Sequence, residues 1–300
     1  MSQPLVTIIA VCYNQVKWVK QTLDSILKQS YQNIQLIVAD DGSTDGSKDI
    51  IRQWMDQNNK DAVFIDHPKN LGLTKNINSA IPFVKGDYYQ VFGCDDIMLS
   101  DKISKQVKMM EDDKQISIVY SDMYLMDIDG KDFGLSYYQR SKHKKPGSGW
   151  LYNDLVDRIF ISAPSVLIRT NVLKELRGYN EALDFEDYEF FLRASRKFQF
   201  YYDEDKTVYY RITGSSLSTA KHEKKYFKNL FIIFYQNFDS SSSYKKIFNK
   251  KLLFAFKNLY AFKSRNTFIL GIKGFIKTGD INFLKFGIAG IRYLITGVKI

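Results

Sequence analysis

Cysteine is close to absent: the 300-residue chain has two, Cys12 and Cys94, and no CxxC. A disulfide framework and a structural zinc site are both unsupported, and a reducing, cytosolic compartment is the default. The three histidines, His67, His143 and His222, stand apart with no ligand spacing, so a metal centre built from imidazoles is unsupported too. No uncharged apolar run reaches the roughly 18 residues that a transmembrane helix requires. Met1–Pro4 carries no positive side chain, and the apolar run Leu5–Val11 leads into Cys12-Tyr13-Asn14 rather than a small-residue cleavage site. It reads as a first strand and not as an export signal. G-x-S-x-G, H-E-x-x-H, Walker A and G-x-G-x-x-G are all missing, which weakens hydrolase, metalloprotease, NTPase and dehydrogenase readings together.

With 45% apolar and 25% charged residues the chain can bury a substantial core. Its net charge of +10 is unevenly spread: residues 1–220 carry 27 Lys and Arg against 30 Asp and Glu, and residues 221–300 carry 16 against 3. A near-neutral body with a cationic end argues against a nucleic-acid binder. The same last 80 residues hold 17 of the 45 aromatic residues. A basic segment rich in Phe, Tyr, Leu and Ile points to a membrane surface or an acidic partner.

The first half alternates strand and helix. Val6–Tyr13 is nearly all apolar, as a strand buried on both faces should be, and Val16, Val19, Leu23, Ile26 and Leu27 follow at helical spacing. Strands are predicted again at Ile34–Ala39, Val63–Ile65 and Tyr88–Phe92, with helices between them. Repeated β-α units of about 30 residues predict an α/β fold with a doubly wound, mostly parallel sheet, whose ligands bind at the carboxyl ends of the strands. Further strands are expected at Ile116–Met126, Ala163–Ile168 and Thr207–Ile212, helices at Asn171–Leu176 and Glu186–Arg196, and a polar, lid-like loop at Ser136–Gly149. From Lys221 four amphipathic helices are expected, the last carrying Lys285, Arg292 and Lys299 as one cationic stripe.

Three acidic clusters stand out. Asp95-Asp96 ends a buried strand, where carboxylates call for a cation or hydrogen-bond donors, and a divalent metal on a diphosphate would supply one. The same pair also suits a turn that caps the next helix. Asp40-Asp41-Gly42-Ser43-Thr44-Asp45-Gly46-Ser47 offers acceptors to a ribose or base together with close backbone approach, or simply an Asx-turn and helix cap. Glu186-Asp187 opens a helix, either as a general base beside a second acid or as ordinary N-terminal capping.

In their order and spacing, VTIIAVCYNQ, DDGSTDGS, NLGLTKNINSAI, GDYYQVFGCDD, APSVLIR and FEDYEFFLR resemble the family 2 inverting glycosyltransferases, over roughly Val6 to Ser218. The resemblance implies a Rossmann-like, glycosyltransferase A-type catalytic domain, at residues 1–220, and the change of pattern at Lys221 sets apart a basic, aromatic-rich helical region at 221–300. It implies a nucleotide-diphosphate-sugar donor, UDP-linked by expectation, and transfer of a hexosyl or N-acetylhexosaminyl group. Val11, Tyr13 and Asp41, with Asp40 in support and Asn70 nearby, would line the nucleotide pocket. Asp95 would face the ribose and Asp96 would hold Mn²⁺ or Mg²⁺ on the diphosphate. Asp187 would deprotonate the acceptor hydroxyl, with Glu186 beside it. No protein nucleophile is needed, in keeping with the missing Ser and Cys motifs.

Two positions depart from the family pattern. Gly93 stands where many relatives carry an acid, and Thr213 follows Tyr210-Arg211-Ile212 where relatives often carry His. The Q-x-x-R-W signature of processive synthases is missing, which favours one sugar per acceptor. The expected acceptor is a lipid-linked or cell-surface glycan of bacterial polysaccharide, capsule or envelope synthesis, met at the inner face of the membrane. Rival readings are a catalytically inactive nucleotide-sugar or glycan-binding protein and a nucleotidyltransferase. The latter lacks the Gly-rich loop and basic residue expected after the first strand. For the C-terminal helices, peripheral membrane contact competes with packing on the catalytic domain or homodimer formation.

Overall fold

The computed structural model describes residues 3–141, 146–213 and 224–291. The chain divides into two compact units: Met1–Glu181 with Glu186–Thr213, and Ala182–Phe185 with Gly214–Ile300. Sequence composition changes near Lys221, close to the second crossing. The first crossing is four residues long and leaves no compositional trace.

In the first unit, β1 (Val6–Cys12), α1 (Val19–Leu27), β2 (Ile34–Asp40), α2 (Ser47–Asn58), β3 (Val63–Asp66), α3 (Leu73–Ala80) and β4 (Tyr88–Gly93) follow the expected alternation. Then come β5 (Ile97–Met98), α4 (Lys102–Asp112), β6 (Ile116–Met126), β7 (Asp132–Ser136), α5 (Tyr137–Ser141), α6 (Tyr152–Asp157), β8 (Leu167–Arg169), α7 (Thr170–Leu176), α8 (Asp187–Ala194) and β9 (Gln199–Arg211). The sheet order is β3-β2-β1-β4-β8-β6-β9-β5, with β7 paired to β6. The β3-β2-β1-β4 half is parallel, whereas β8 runs antiparallel to both β4 and β6, and β5 antiparallel to β9. The expected parallel sheet is therefore one half of a mixed sheet. β6 and β9 are parallel too, across a connection that contains α5 to α8, but the short β8 between β4 and β6, the hairpin strand β7 and the edge strand β5 run antiparallel to their neighbours.

Three local expectations change. Ala163–Ser165 is a 3₁₀ turn ahead of the short β8, because Pro164 cannot donate to a ladder. The expected loop at Ser136–Gly149 contains the end of β7 and all of α5, with 142–145 outside the described residues. The last strand starts at Gln199, eight residues earlier than expected, since the acidic stretch Asp203-Glu204-Asp205, of which Asp203 is buried, hid the alternation.

Every residue of β1 is buried. Val6, Ile8, Ala10 and Cys12 share one face with Leu36, Val38, Tyr88 and Phe92, and pack with Val19, Leu23, Ile51, Trp54, Ile103 and Val107 from α1, α2 and α4. That packing fixes the strand ends from which the acidic loops leave.

The second unit contains α9 (Lys224–Gln236), α10 (Ser242–Ala261), α11 (Thr267–Thr278) and α12 (Ile281–Ala289). Phe248, Leu252, Ala255, Phe256 and Leu259 give α10 a buried stripe of helical period. At Gly271 and Gly274 a Cβ would lie 2.7 Å from the Phe283 carbonyl oxygen and 2.2 Å from its ring, so glycine lets α11 and α12 touch. Of the expected cationic stripe, Lys285 lies on α12, while Arg292 and Lys299 fall outside the described residues. No helix among the described residues is long and apolar enough to cross a membrane.

Candidate active site

The parallel registers put Cys12 beside Asp40 and Val11 beside Gly93, so the segments leaving β2 and β4 flank the end of β1. Four hydrogen bonds join the first two loops: Asn14 N–H to Ser43 Oγ at 2.8 Å, Gln15 N–H to Ser47 Oγ at 2.9 Å, Val16 N–H to Asp45 Oδ2 at 2.9 Å, and Thr44 N–H to Asn14 Oδ1 at 2.9 Å. Burial opposes ionisation of Asp45, but hydrogen bonds from Ser47 and Val16 outweigh it and hold the carboxyl below the ordinary range. Asp40 is fully buried; it accepts from Ser43 N–H and Oγ at 2.8 and 2.6 Å, with Lys48 Nζ 3.8 Å away. It braces the loop from behind instead of facing the crevice.

Asp41 accepts from the Leu71 and Gly72 N–H groups at 2.7 and 3.0 Å, which fastens the loop after β3 onto the end of β2. Gly42 makes that junction possible: its φ is +75°, and a Cβ there would sit 2.4 Å from the carbonyl carbon of Lys69. Asn70 is exposed on the fastened loop. Tyr13 presents a half-exposed ring at the end of β1, and the buried Val11 accepts the Cys94 N–H at 3.0 Å. All five residues expected at the nucleotide pocket on this side are thus gathered at two adjoining strand ends.

Beyond β4 the chain turns through Cys94, Asp95 and Asp96. The buried Cys94 thiol, hydrogen-bonded to Cys12, is pushed well above the ordinary thiol range, which makes it a poor nucleophile. Asp96 is 2% exposed, and its Oδ1 accepts the Arg211 N–H at 2.8 Å. Burial, and then the charge of Asp95, raise its carboxyl well above the usual range. Burial also raises Asp95, against the pull of Arg211 and a hydrogen bond with Gln15. A Cβ on Gly93 would lie 2.7 Å from Asp95 Oδ1 and 3.9 Å from Asp96 Oδ2. The two carboxylates therefore converge over the glycine, and an acid at position 93 would displace Asp95.

Two converging hard-oxygen acids of this kind suit Mg²⁺ or Mn²⁺, which take one or two carboxylates and complete their shell with water and substrate phosphates. Among the described residues no cluster of three or more His, Cys, Asp or Glu could hold a metal by itself. The residues present fit a cation shared with a diphosphate.

Arg211 is the residue sequence reasoning missed. It is buried; its Nε donates to the Asp95 carbonyl at 2.8 Å and its other nitrogens to Ile128 O at 3.1 Å and Gln21 Oε1 at 2.8 Å. Its guanidinium also lies over the Trp18 ring, 5.6 Å from the centroid. The one available signal was an arginine at the apolar end of a strand, in Val208-Tyr209-Tyr210-Arg211-Ile212.

Glu186 precedes α8 and makes no side-chain capping bond, while Asp187 Oδ1 accepts the N–H of the adjacent Tyr188 at 2.6 Å. Capping by Glu186, the plainer alternative, is therefore not realised. Burial and then the charge of Asp187 push Glu186 up to about 8, and burial pushes Asp187 up to about 6. A carboxyl near 6 can accept a proton at neutral pH and still bind it usefully. Tyr137 of α5, raised to about 12 by burial and then by Asp187, Tyr210 and Asp122, links this helix start to the end of β9. The expected lid segment thus contributes an ordered tyrosine beside the expected base.

Residues 7–176 match the family model described as Glycosyl transferase family 2. An uncharacterised glycosyltransferase of Haemophilus influenzae is 31% identical over 223 residues, 74% of this chain and 84% of that protein. Another, from Methanocaldococcus jannaschii, is 28% identical over 234 residues, 75% of this chain and 78% of that protein. Among solved structures, S. aureus TarS 1–349 in complex with UDP-GlcNAc shares the fold with a TM-score of 0.65 at 15% identity, covering 95% of this chain and 91% of that one. The mannosyltransferase PcManGT of Pyrobaculum calidifontis, in complex with GDP-Man and Mn²⁺, does so with a TM-score of 0.61 at 16% identity, over 100% of this chain and 77% of that one. The family match takes in the acidic turns after β2 and β4 together with the strands that carry them, and the chain belongs to glycosyl transferase family 2.

Proposed function

We propose that this glycosyltransferase is inverting and non-processive, and moves one sugar from a nucleotide-diphosphate donor, a UDP-sugar, to a hydroxyl of a lipid-linked or cell-surface glycan. The observation that carries this reading is the convergence of Asp95 and Asp96 over Gly93, beside the strand ends bearing Tyr13 and Asp41. Asp41 and the loop it holds would seat the nucleoside, with Asp95 toward the ribose. Asp96, with Asp95, would hold Mn²⁺ or Mg²⁺, which when bound neutralises charge on the departing diphosphate. Asp187 would take the proton of the acceptor hydroxyl as that oxygen attacks the anomeric carbon and the bond to the diphosphate breaks on the opposite face. Glu186, held mostly protonated at neutral pH, leaves Asp187 free to be the base.

The nucleotide sugars named for TarS and PcManGT support the donor class. The basic C-terminal helices support work at the inner face of a bacterial membrane, as a peripheral protein or a homodimer. The test is release of nucleoside diphosphate from a panel of nucleotide sugars, with Mn²⁺, with Mg²⁺ and with chelator. Metal-dependent turnover of one donor that disappears in Asp96→Asn is expected. Release of pyrophosphate, or full transfer by Asp187→Asn to a confirmed acceptor, would overturn the assignment.

A further inference from the structure

The C-terminal helices line an open hollow of about 610 Å³ where the start of α9 meets the end of α10 and the start of α11. Lys224, Lys225, Lys228 and Arg265 line it, and no lining residue is acidic. Lys225 has a partner, Asp184 Oδ1 at 3.1 Å. Lys224 and Lys228 have no ion-pair partner among the described residues. Few are on offer: Asp184 is occupied, and Asp280 caps α12 through the Asn282 N–H at 2.9 Å.

Two further polar residues stand at the cavity. Ser264 is 5% exposed and lines the wall. Asn266, the N-cap residue of α11, makes no side-chain capping bond, and the first turn of that helix carries no acid. Lysines, an arginine and the positive end of a twelve-residue helix therefore border one space. Their common complement is a phosphate-sized anion.

The surroundings indicate where that anion comes from. Ile269, Ile272 and Ile276 of α11 are 52%, 37% and 75% exposed, at helical spacings that put them on one face leading away from the cavity. Ile281 and Ile288 of α12 are more than half exposed as well. A free phosphate gives such a face no purpose. A lipid supplies both halves: an anionic head for the cavity and an acyl boundary for the isoleucines.

We propose that this cavity seats the phosphate of a membrane lipid while the exposed face of α11 enters the bilayer interface. For its location it rests on the membrane-face reading above, and it is independent of the sugar-transfer chemistry.

The test is flotation of the full chain with vesicles of phosphatidylcholine alone and with added phosphatidylglycerol. Binding to the anionic vesicles is expected, falling about fivefold per cation in Lys224→Gln/Lys228→Gln. Lys245→Gln/Lys246→Gln, on α10 and away from the cavity, is expected to change binding less than about twofold, and Ile272→Ser/Ile276→Ser to abolish it. Equal losses in the two lysine pairs would replace the site with diffuse charge. Displacement by inorganic phosphate would make it a soluble-anion site, and self-association without flotation would make the isoleucine face a contact with a second copy. Each of these overturns the proposal. Donor hydrolysis measured without vesicles is expected to stay unchanged in all three variants; its absence from every form of the protein would strike the transfer reading and leave flotation to decide this one.

Discussion

Glu186 and Asp187 ionise reluctantly because α8 begins in a water-poor site, at about 8 and about 6 respectively. A base must be unprotonated to act, so kcat/KM is expected to rise with pH through about 6, and Asp187→Asn to lose roughly 10²–10⁴-fold. A pH–rate profile of both forms checks this. Stability runs the other way. Between the ordinary 4.5 and about 8 the folded chain keeps a proton on Glu186 that the unfolded chain has released, so stability falls as pH rises through that window. Thermal unfolding of Glu186→Gln is expected to show a flatter decline of Tm from pH 5 to 8. The pair itself was readable from sequence, because two acids at a helix start are conspicuous. Its environment was not, since it includes Tyr137, about fifty residues away in the chain, as well as the nearer Tyr179.

At the scale of elements, β1, β2 and β4 were readable for a simple reason: strands buried on both faces are continuous apolar runs. The strands beyond β6 alternate irregularly and pair in mixed directions, so neither their extent nor their partners followed from pattern. Arg211 shows the consequence. Its contact with Asp95 spans 116 residues, and it ties the end of β9 to the turn after β4 and, through Ile128, to the turn after β6. Arg211→Met would leave two buried acids without their cation, and a loss of about 3–5 kcal/mol is expected by urea denaturation. Adding Asp96→Asn is expected to restore part of it, because one uncompensated charge is then gone. Strict additivity of the two losses would show that the arginine acts by packing alone.

At the scale of the whole molecule, the four residues Ala182–Phe185 belong with the C-terminal helices, although Glu186 follows directly in the other unit. Asp184 is held by Lys225 Nζ at 3.1 Å and Asn229 Nδ2 at 3.2 Å, and Phe185 lies 6.2 Å from Tyr226, ring to ring. A chain ending at Thr213 loses all of these partners. Its sheet is expected to keep slow amide exchange in β1, β2 and β4, while amides of residues 183–188 exchange quickly and transfer falls more than donor binding. Uniform loss of protection across the sheet would contradict that division.

The same crossing sets an order in time. Asp184 and Asn229 are 45 residues apart, which at 5–20 residues per second is about 2–9 s of synthesis. During that interval the strands carrying Asp41, Asp95 and Asp96 have already been made, and the segment leading into Asp187 still lacks its anchor. A newly made chain therefore completes the turns bearing Asp41, Asp95 and Asp96 before the segment leading into Asp187 gains the anchor that Lys225 and Asn229 supply.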